Sequence, residues 1–158
     1  MSPRLARTLT VLYDISMVQF IYGKNSFLIS TKLREIEADF AKHDPSGINL
    51  SKIDGASLTF GQFEQAISAT PFLADKRLVI IRNLQLDNKD SELKNKVAER
   101  IGKDQHRNSS QKGTEKKEKD STDLVFVEMG QPDKRTKLYK DLLKSTASAP
   151  RLMLFLTS

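Results

Sequence analysis

An α/β domain with a mainly parallel five-stranded sheet is the fold class this 158-residue chain predicts. Two observations carry that expectation. Short apolar runs alternate with amphipathic stretches in the order β-α-β-α-β-α-β-α-β, which implies parallel strands joined by right-handed crossovers. Two of the runs, "RLVIIRN" at 77–83 and "LVFVE" at 124–128, are apolar at consecutive positions and rich in β-branched residues. Such runs suit strands covered on both faces rather than one.

The elements follow in chain order. Val18 to Tyr22 is a short apolar strand closed by Gly23. In "NSFLISTKLREIEADFAKH", Phe27, Leu28, Leu33, Ile36 and Phe40 recur at near-helical spacing among charged residues, which predicts an amphipathic helix closed by "DPSG" at 44–47. "INLSKI" at 48–53 alternates as a strand and ends at Asp54-Gly55. Thr59 and Gln62 form a capping box, and Phe60, Phe63, Ala66 and Ile67 share the face of the helix it opens, with Pro71 as the stop. After the 77–83 strand, "KDSELKNKVAERIGK" at 89–103 places Leu93, Val97 and Ile101 on one helical stripe. Following the 124–128 strand, "DKRTKLYKDLLK" at 133–144 turns Leu138, Leu142 and Leu143 inward, and "RLMLFLT" at 151–157 is a last strand.

Two segments stand outside this pattern. Residues 1–16 carry Arg4 and Arg7 ahead of Met17 and read as a dispensable N-terminal extension to a domain spanning 17–158. Residues 104–122 contain no large apolar side chain and nearly balanced charge, so they predict a disordered insertion.

Composition bounds the function. The chain is 38% hydrophobic and 29% charged with a formal net charge of +6, a modest excess compatible with nucleic acid or an acidic partner. It has no cysteine, hence no disulfide or thiolate metal site. No apolar run reaches the length of a membrane span, and a cytoplasmic setting is expected. His43 and His106 are the only histidines, and no metal-ligating spacing or nucleophile-base pair occurs, so neither a catalytic site nor a bound metal or cofactor is expected.

The α/β order makes a phosphate-binding loop the site to test. G-x-x-x-x-G-K-[ST] ending on Gly23-Lys24 requires glycine at position 18 and a hydroxyl at 25, where Val18 and Asn25 stand. Arg82-Asn83 occupy the place of an acidic residue after the third strand. Glu128 does follow an apolar run, but without a phosphate loop it reads as a polar strand end. The architecture is of a nucleotide-binding type whose nucleotide site is degenerate.

Three stretches together resemble one family. "FIYGKNSFLISTKLREI" resembles its opening strand, Y-G-x-x-x-F-L turn and first helix. "LTFGQFEQAISATPFLADKRLVIIRN" is similar to its second helix and following T-x-P-apolar pair segment, and "DKRTKLYK" to its D-K-R motif. The family is the delta subunit of bacterial DNA polymerase III, a clamp-loader subunit of a DNA-directed DNA polymerase holoenzyme, and the likeness runs from about Val18 to Leu156. It implies a three-layer P-loop-NTPase (AAA+-like) domain with a degenerate nucleotide site. It implies binding and opening of the sliding clamp, partnership with other clamp-loader subunits, DNA contact through the assembled complex, and ATP hydrolysis left to sister subunits. Lid and collar domains of the family have no counterpart before Ser158, so the chain is expected to be a fragment, a truncated gene product or a split relative.

Within that resemblance the clamp-binding residues are Pro71, Phe72 and Leu73, bordered by Lys76 and Arg77. Composition alone gives Phe72 and Leu73 another role, packing a helix end on the sheet. Lys134, Arg135, Lys137 and Lys140 form a second candidate interface facing phosphate, or a solvated helix face with Asp133 as cap. The competing function is a basic nucleic-acid-binding α/β domain without clamp contact.

Overall fold

The computed structural model describes residues 14–110, 121–147 and 154–156. Within these, β1 (Asp14–Gly23), α1 (Ser26–Ala41), β2 (Leu50–Asp54), α2 (Phe60–Ser68), β3 (Lys76–Arg82), α3 (Leu84–Asp87), α4 (Ser91–Ser110), β4 (Ser121–Glu128), α5 (Lys137–Ala147) and β5 (Leu154–Leu156) follow one another. The strand order is β2-β3-β4-β1-β5, and every pairing is parallel. Four strands make the body of the sheet, and the three-residue β5 pairs with the end of β1.

The strands explain the layering. Alternate residues of β3 and β4 point to opposite faces. Leu78, Ile80, Val125 and Val127 meet Ile29, Leu33 and Phe40 of α1 on one side. Val79, Ile81, Leu124 and Phe126 meet Phe63 and Ile67 of α2, Val97 and Ile101 of α4, and Leu138 and Leu142 of α5 on the other. A strand buried on both faces has no solvent side to keep polar, which is why these runs are continuously apolar. Each fully buried side chain of this kind contributes about 1.5–3 kcal/mol relative to exposure.

Local signals hold where the chain forms them by itself. The Thr59 hydroxyl accepts from the Gln62 amide (3.3 Å) while Gln62 Oε1 accepts from the Thr59 amide (3.0 Å). Helix α2 ends at Ser68, ahead of Pro71, because the residue before proline is pushed out of the helical region.

Several boundaries differ from expectation. Strand β1 begins at Asp14, so residues 14–16, placed in the N-terminal extension, belong to the sheet: Asp14 pairs with Ser121, Ile15 is buried, and Ser16 donates to the Asp123 carboxylate. Residues 1–13 lie outside the described residues. The segment 104–122 is not wholly irregular. Helix α4 continues to Ser110, with Asp104 buried and ion-paired to Arg100 one turn earlier, and Ser121 to Asp123 start β4. The Arg100–Asp104 pair, four residues apart, supports the helix where its apolar stripe ends; residues 111–120, the rest of the expected insertion, are outside the described set. Phe27 and Leu28 are exposed, Phe27 at 70%, because the buried stripe of α1 runs through Ile29 instead. Ile48 lies in the turn before β2 and is exposed. Thr136, rather than Asp133, caps α5, its hydroxyl accepting from the Tyr139 amide (3.2 Å).

Candidate functional site

Between α2 and β3 the chain makes a short projecting tip. Phe72 is 59% exposed and Leu73 is 91% exposed. Leu73 also has φ of +53°. A left-handed backbone costs a residue with a Cβ roughly 1–2 kcal/mol, so the conformation needs outside support.

That support comes from the turn ahead of β2. Asn49 is fully buried and clasps Phe72 by both backbone groups: Phe72 N–H donates to Asn49 Oδ1 (2.7 Å) and Asn49 Nδ2 donates to the Phe72 carbonyl (2.9 Å). Asn49 is itself fixed by its backbone. Its N–H donates to Asp44 Oδ2 (2.8 Å) and its carbonyl accepts from Leu78 N–H (2.9 Å). Asp44 also accepts from the Ser46 hydroxyl (2.6 Å). The Ser46 and Asn49 hydrogen bonds hold the Asp44 carboxyl below the usual range. Gly47, at φ +69°, supplies the left-handed step this turn requires.

The neighbours of the tip are arranged differently from one another. Lys76 is exposed with its ammonium 4.0 Å from Asp123. Arg77 is only partly exposed and turns along the sheet edge to donate to the Ser51 hydroxyl (3.0 Å). Of the two cations expected to border the apolar pair, Lys76 has the freer head group. Ile48, next to Asn49 and 59% exposed, stands on the segment clasped to the tip. Neither Ile48 nor Asn49 was singled out by sequence reasoning. The turn "DPSG" at 44–47 is legible, but Ile48 and Asn49 read as the start of the strand, and the bond from Asn49 to a residue 23 positions away is not visible in the sequence.

Open parallel sheets take ligands in the crevice at the carboxyl ends of their strands, where the connections diverge. In this chain that place lies at the ends of β1 and β4, and it is closed by internal hydrogen bonds. Gly23 N–H donates to the Gly130 carbonyl (3.0 Å) rather than facing an anion. Asn25 caps α1, its side chain accepting from the Leu28 amide (3.1 Å). Asn83, after β3, donates its N–H to the Val127 carbonyl (2.7 Å) and accepts from the Met129 amide (2.9 Å). Glu128 is fully buried and accepts from the Gln85 and Leu86 amides at the start of α3, at 2.9 and 3.1 Å. Burial pushes its carboxyl up to about 7 despite those two donors. Glu128 thus acts as a helix cap built into the strand end. Among the described residues no cluster of His, Asp or Glu has metal-binding geometry.

The basic run at 134–140 does not form one open patch. Arg135 forks onto Asp133 with two 3.0 Å hydrogen bonds, and its guanidinium brings the Asp133 carboxyl down to about 2. Lys137 pairs with Glu99 at 3.5 Å. Lys134 and Lys140 are exposed. Two of the four cations are therefore already engaged with acids of the same chain.

The family model for "DNA polymerase III, delta subunit" matches residues 20–149. The chain belongs to that family. The match includes the Asn49-clasped tip, the closed crevice and the 133–140 segment of this delta-family chain. Among solved structures the chain is similar to the Bacillus subtilis DNA clamp loader delta protein (YqeN), with a TM-score of 0.55 and 22% identity over 83% of this chain. That likeness describes the fold. The delta-family chain spans 37% of the length of the Bacillus protein. Comparison with curated protein sequences gave no match. No helix among the described residues is long and apolar enough to cross a membrane.

Proposed function

We propose that this chain is the clamp-engaging, AAA+-like domain of a delta-type clamp-loader subunit, and that it binds the sliding clamp through Phe72 and Leu73 and helps open it during DNA replication in the cytoplasm. Pro71 ends the preceding segment, and Lys76 borders the apolar pair. One observation carries the reading: Leu73 is 91% exposed in a left-handed conformation. An exposed leucine held in a costly backbone state contributes nothing to the core, and strain of this kind concentrates at binding sites. Membership of the delta-subunit family supports the same partner.

The nucleotide site plays no part in this reading. The crevice that would hold a nucleotide is satisfied from within, so hydrolysis belongs to other subunits of the loader, and contact with DNA is made by the assembled complex. Internal pairing of Arg135 and Lys137 weakens the competing reading of a nucleic-acid-binding face.

The test is a Phe72→Ala, Leu73→Ala double variant titrated against purified sliding clamp. Both side chains are largely exposed in the free chain, so thermal stability should hold. If the pair enters an apolar pocket, burial of roughly 1.5–3 kcal/mol per side chain is lost and affinity falls by more than about 100-fold. Undiminished affinity refutes the proposal.

A further inference from the structure

We infer that Asn49 is the positioning residue for the Phe72–Leu73 tip, setting its projecting conformation before any partner arrives. The consequence for binding rests on the clamp-engaging reading; the conformational claim does not. The geometry is specific. A primary amide offers one acceptor and two donors in a plane, and Asn49 uses Oδ1 on the Phe72 N–H and Nδ2 on the Phe72 carbonyl. Gripping both polar groups of one residue fixes the orientation of its flanking peptides, and Leu73 follows directly at φ +53°.

The anchor is rigid on its own side. Asn49 is fully buried, and its backbone is bonded to Asp44 on one side and to Leu78 of β3 on the other. The clasp therefore ties the tip to the sheet rather than to another loop. It replaces packing as the source of order, because Leu73 has almost no neighbours to hold it. A tip already in its bound conformation loses less entropy on association, and its competent fraction is high before encounter. The same bond brings the exposed Ile48 onto the segment joined to the tip.

The test uses the full chain with Asn49→Ala and Asn49→Asp. Hydrogen exchange at the Phe72 amide reads the clasp directly. It should accelerate at least about tenfold in Asn49→Ala, while Val79 and Ile80 in β3 keep their protection. Asn49→Asp keeps an acceptor for that amide and loses the donor, so it should lie between. Against purified sliding clamp, Asn49→Ala should weaken affinity about tenfold, the order expected for two lost backbone-directed hydrogen bonds. In a Phe72→Ala, Leu73→Ala background the same change should have no further effect.

Unchanged Phe72 exchange in Asn49→Ala overturns the inference. So does an affinity loss of equal size in the background lacking both apolar side chains, or loss of β3 protection in both variants, which would make Asn49 a general stabiliser. If the parent chain does not bind the clamp at all, the clamp reading fails, and the exchange measurement still decides what Asn49 does.

Discussion

Leu73→Asn should make the protein more stable and less able to bind, and the two effects have separable sizes. In the free chain the leucine side chain is 91% exposed, so removing it forfeits only a few tenths of a kcal/mol of burial. Its backbone sits at φ +53°, where a leucine carries a penalty of roughly 1–2 kcal/mol. Asparagine occupies this region readily through local hydrogen bonding and lacks the unfolded-state entropy of glycine. The net expectation is a gain of about 0.5–1.5 kcal/mol. With a urea dependence of about 1–3 kcal/mol per molar, the unfolding midpoint should rise by roughly 0.5 M. If Leu73 enters an apolar pocket on the clamp, as proposed, the same change forfeits about 1.5–3 kcal/mol there, and the dissociation constant should rise roughly 10- to 150-fold. Urea unfolding and a titration with purified clamp measure the two arms. A loss of stability greater than about 1 kcal/mol would mean that Leu73 packs against the protein in solution. That result would remove the reasoning behind the tip.

Three further expectations follow from the same structure. The folded-state pKa of Glu128 is raised from 4.5 to about 7, so the folded protein binds this proton more tightly than the unfolded chain. Its contribution, on the order of 3 kcal/mol, is fully present below the unfolded value and is lost as pH rises through about 7. Unfolding measured from pH 5 to 8 should show this decline in the parent and not in Glu128→Gln; the same slope in both would remove Glu128 as the cause. Gly55→Ala should lower stability by at least about 2 kcal/mol, because its Cβ would stand 2.5 Å from the Arg82 carbonyl oxygen and the Leu84 nitrogen, both backbone atoms. An unchanged thermal midpoint would show that the two segments are not so close. Calorimetric titration with magnesium and ATP should give no binding, since Gly23 and Asn25 already use their groups internally; micromolar binding would overturn the reading of the closed crevice.

Sequence periodicity located most elements because it is a local property. The Thr59–Gln62 box, the stripe of Leu93, Val97 and Ile101, and the doubly buried runs at β3 and β4 are each read within a few residues. Where reading failed, a distant partner decided the outcome. Phe27 is the exception: Ile29 stands four, seven and eleven residues before Leu33, Ile36 and Phe40, while Phe27 falls on the opposite side of the helix, so the helical period itself separates the two. The start of β1 at Asp14 depends on pairing with Ser121, more than 100 residues on. The short α3 was missed because a four-residue helix has no period to detect; its first amides are held by Glu128, 42 and 43 positions away.

The candidate site divides along the same line. By itself, the sequence determined that a nucleotide loop is absent, because position 18 is valine and position 25 is asparagine, and no folding can change those identities. It also placed two large apolar residues after Pro71 and tied them by resemblance to a clamp-binding family. Whether Phe72 and Leu73 pack inward or project was decided only by tertiary structure. The deciding contacts are two hydrogen bonds between Phe72 and Asn49, one donated and one accepted by the Asn49 amide, which comes from the turn ahead of a neighbouring strand. Composition and spacing carry no trace of them, because they exist only once β2 and β3 lie side by side.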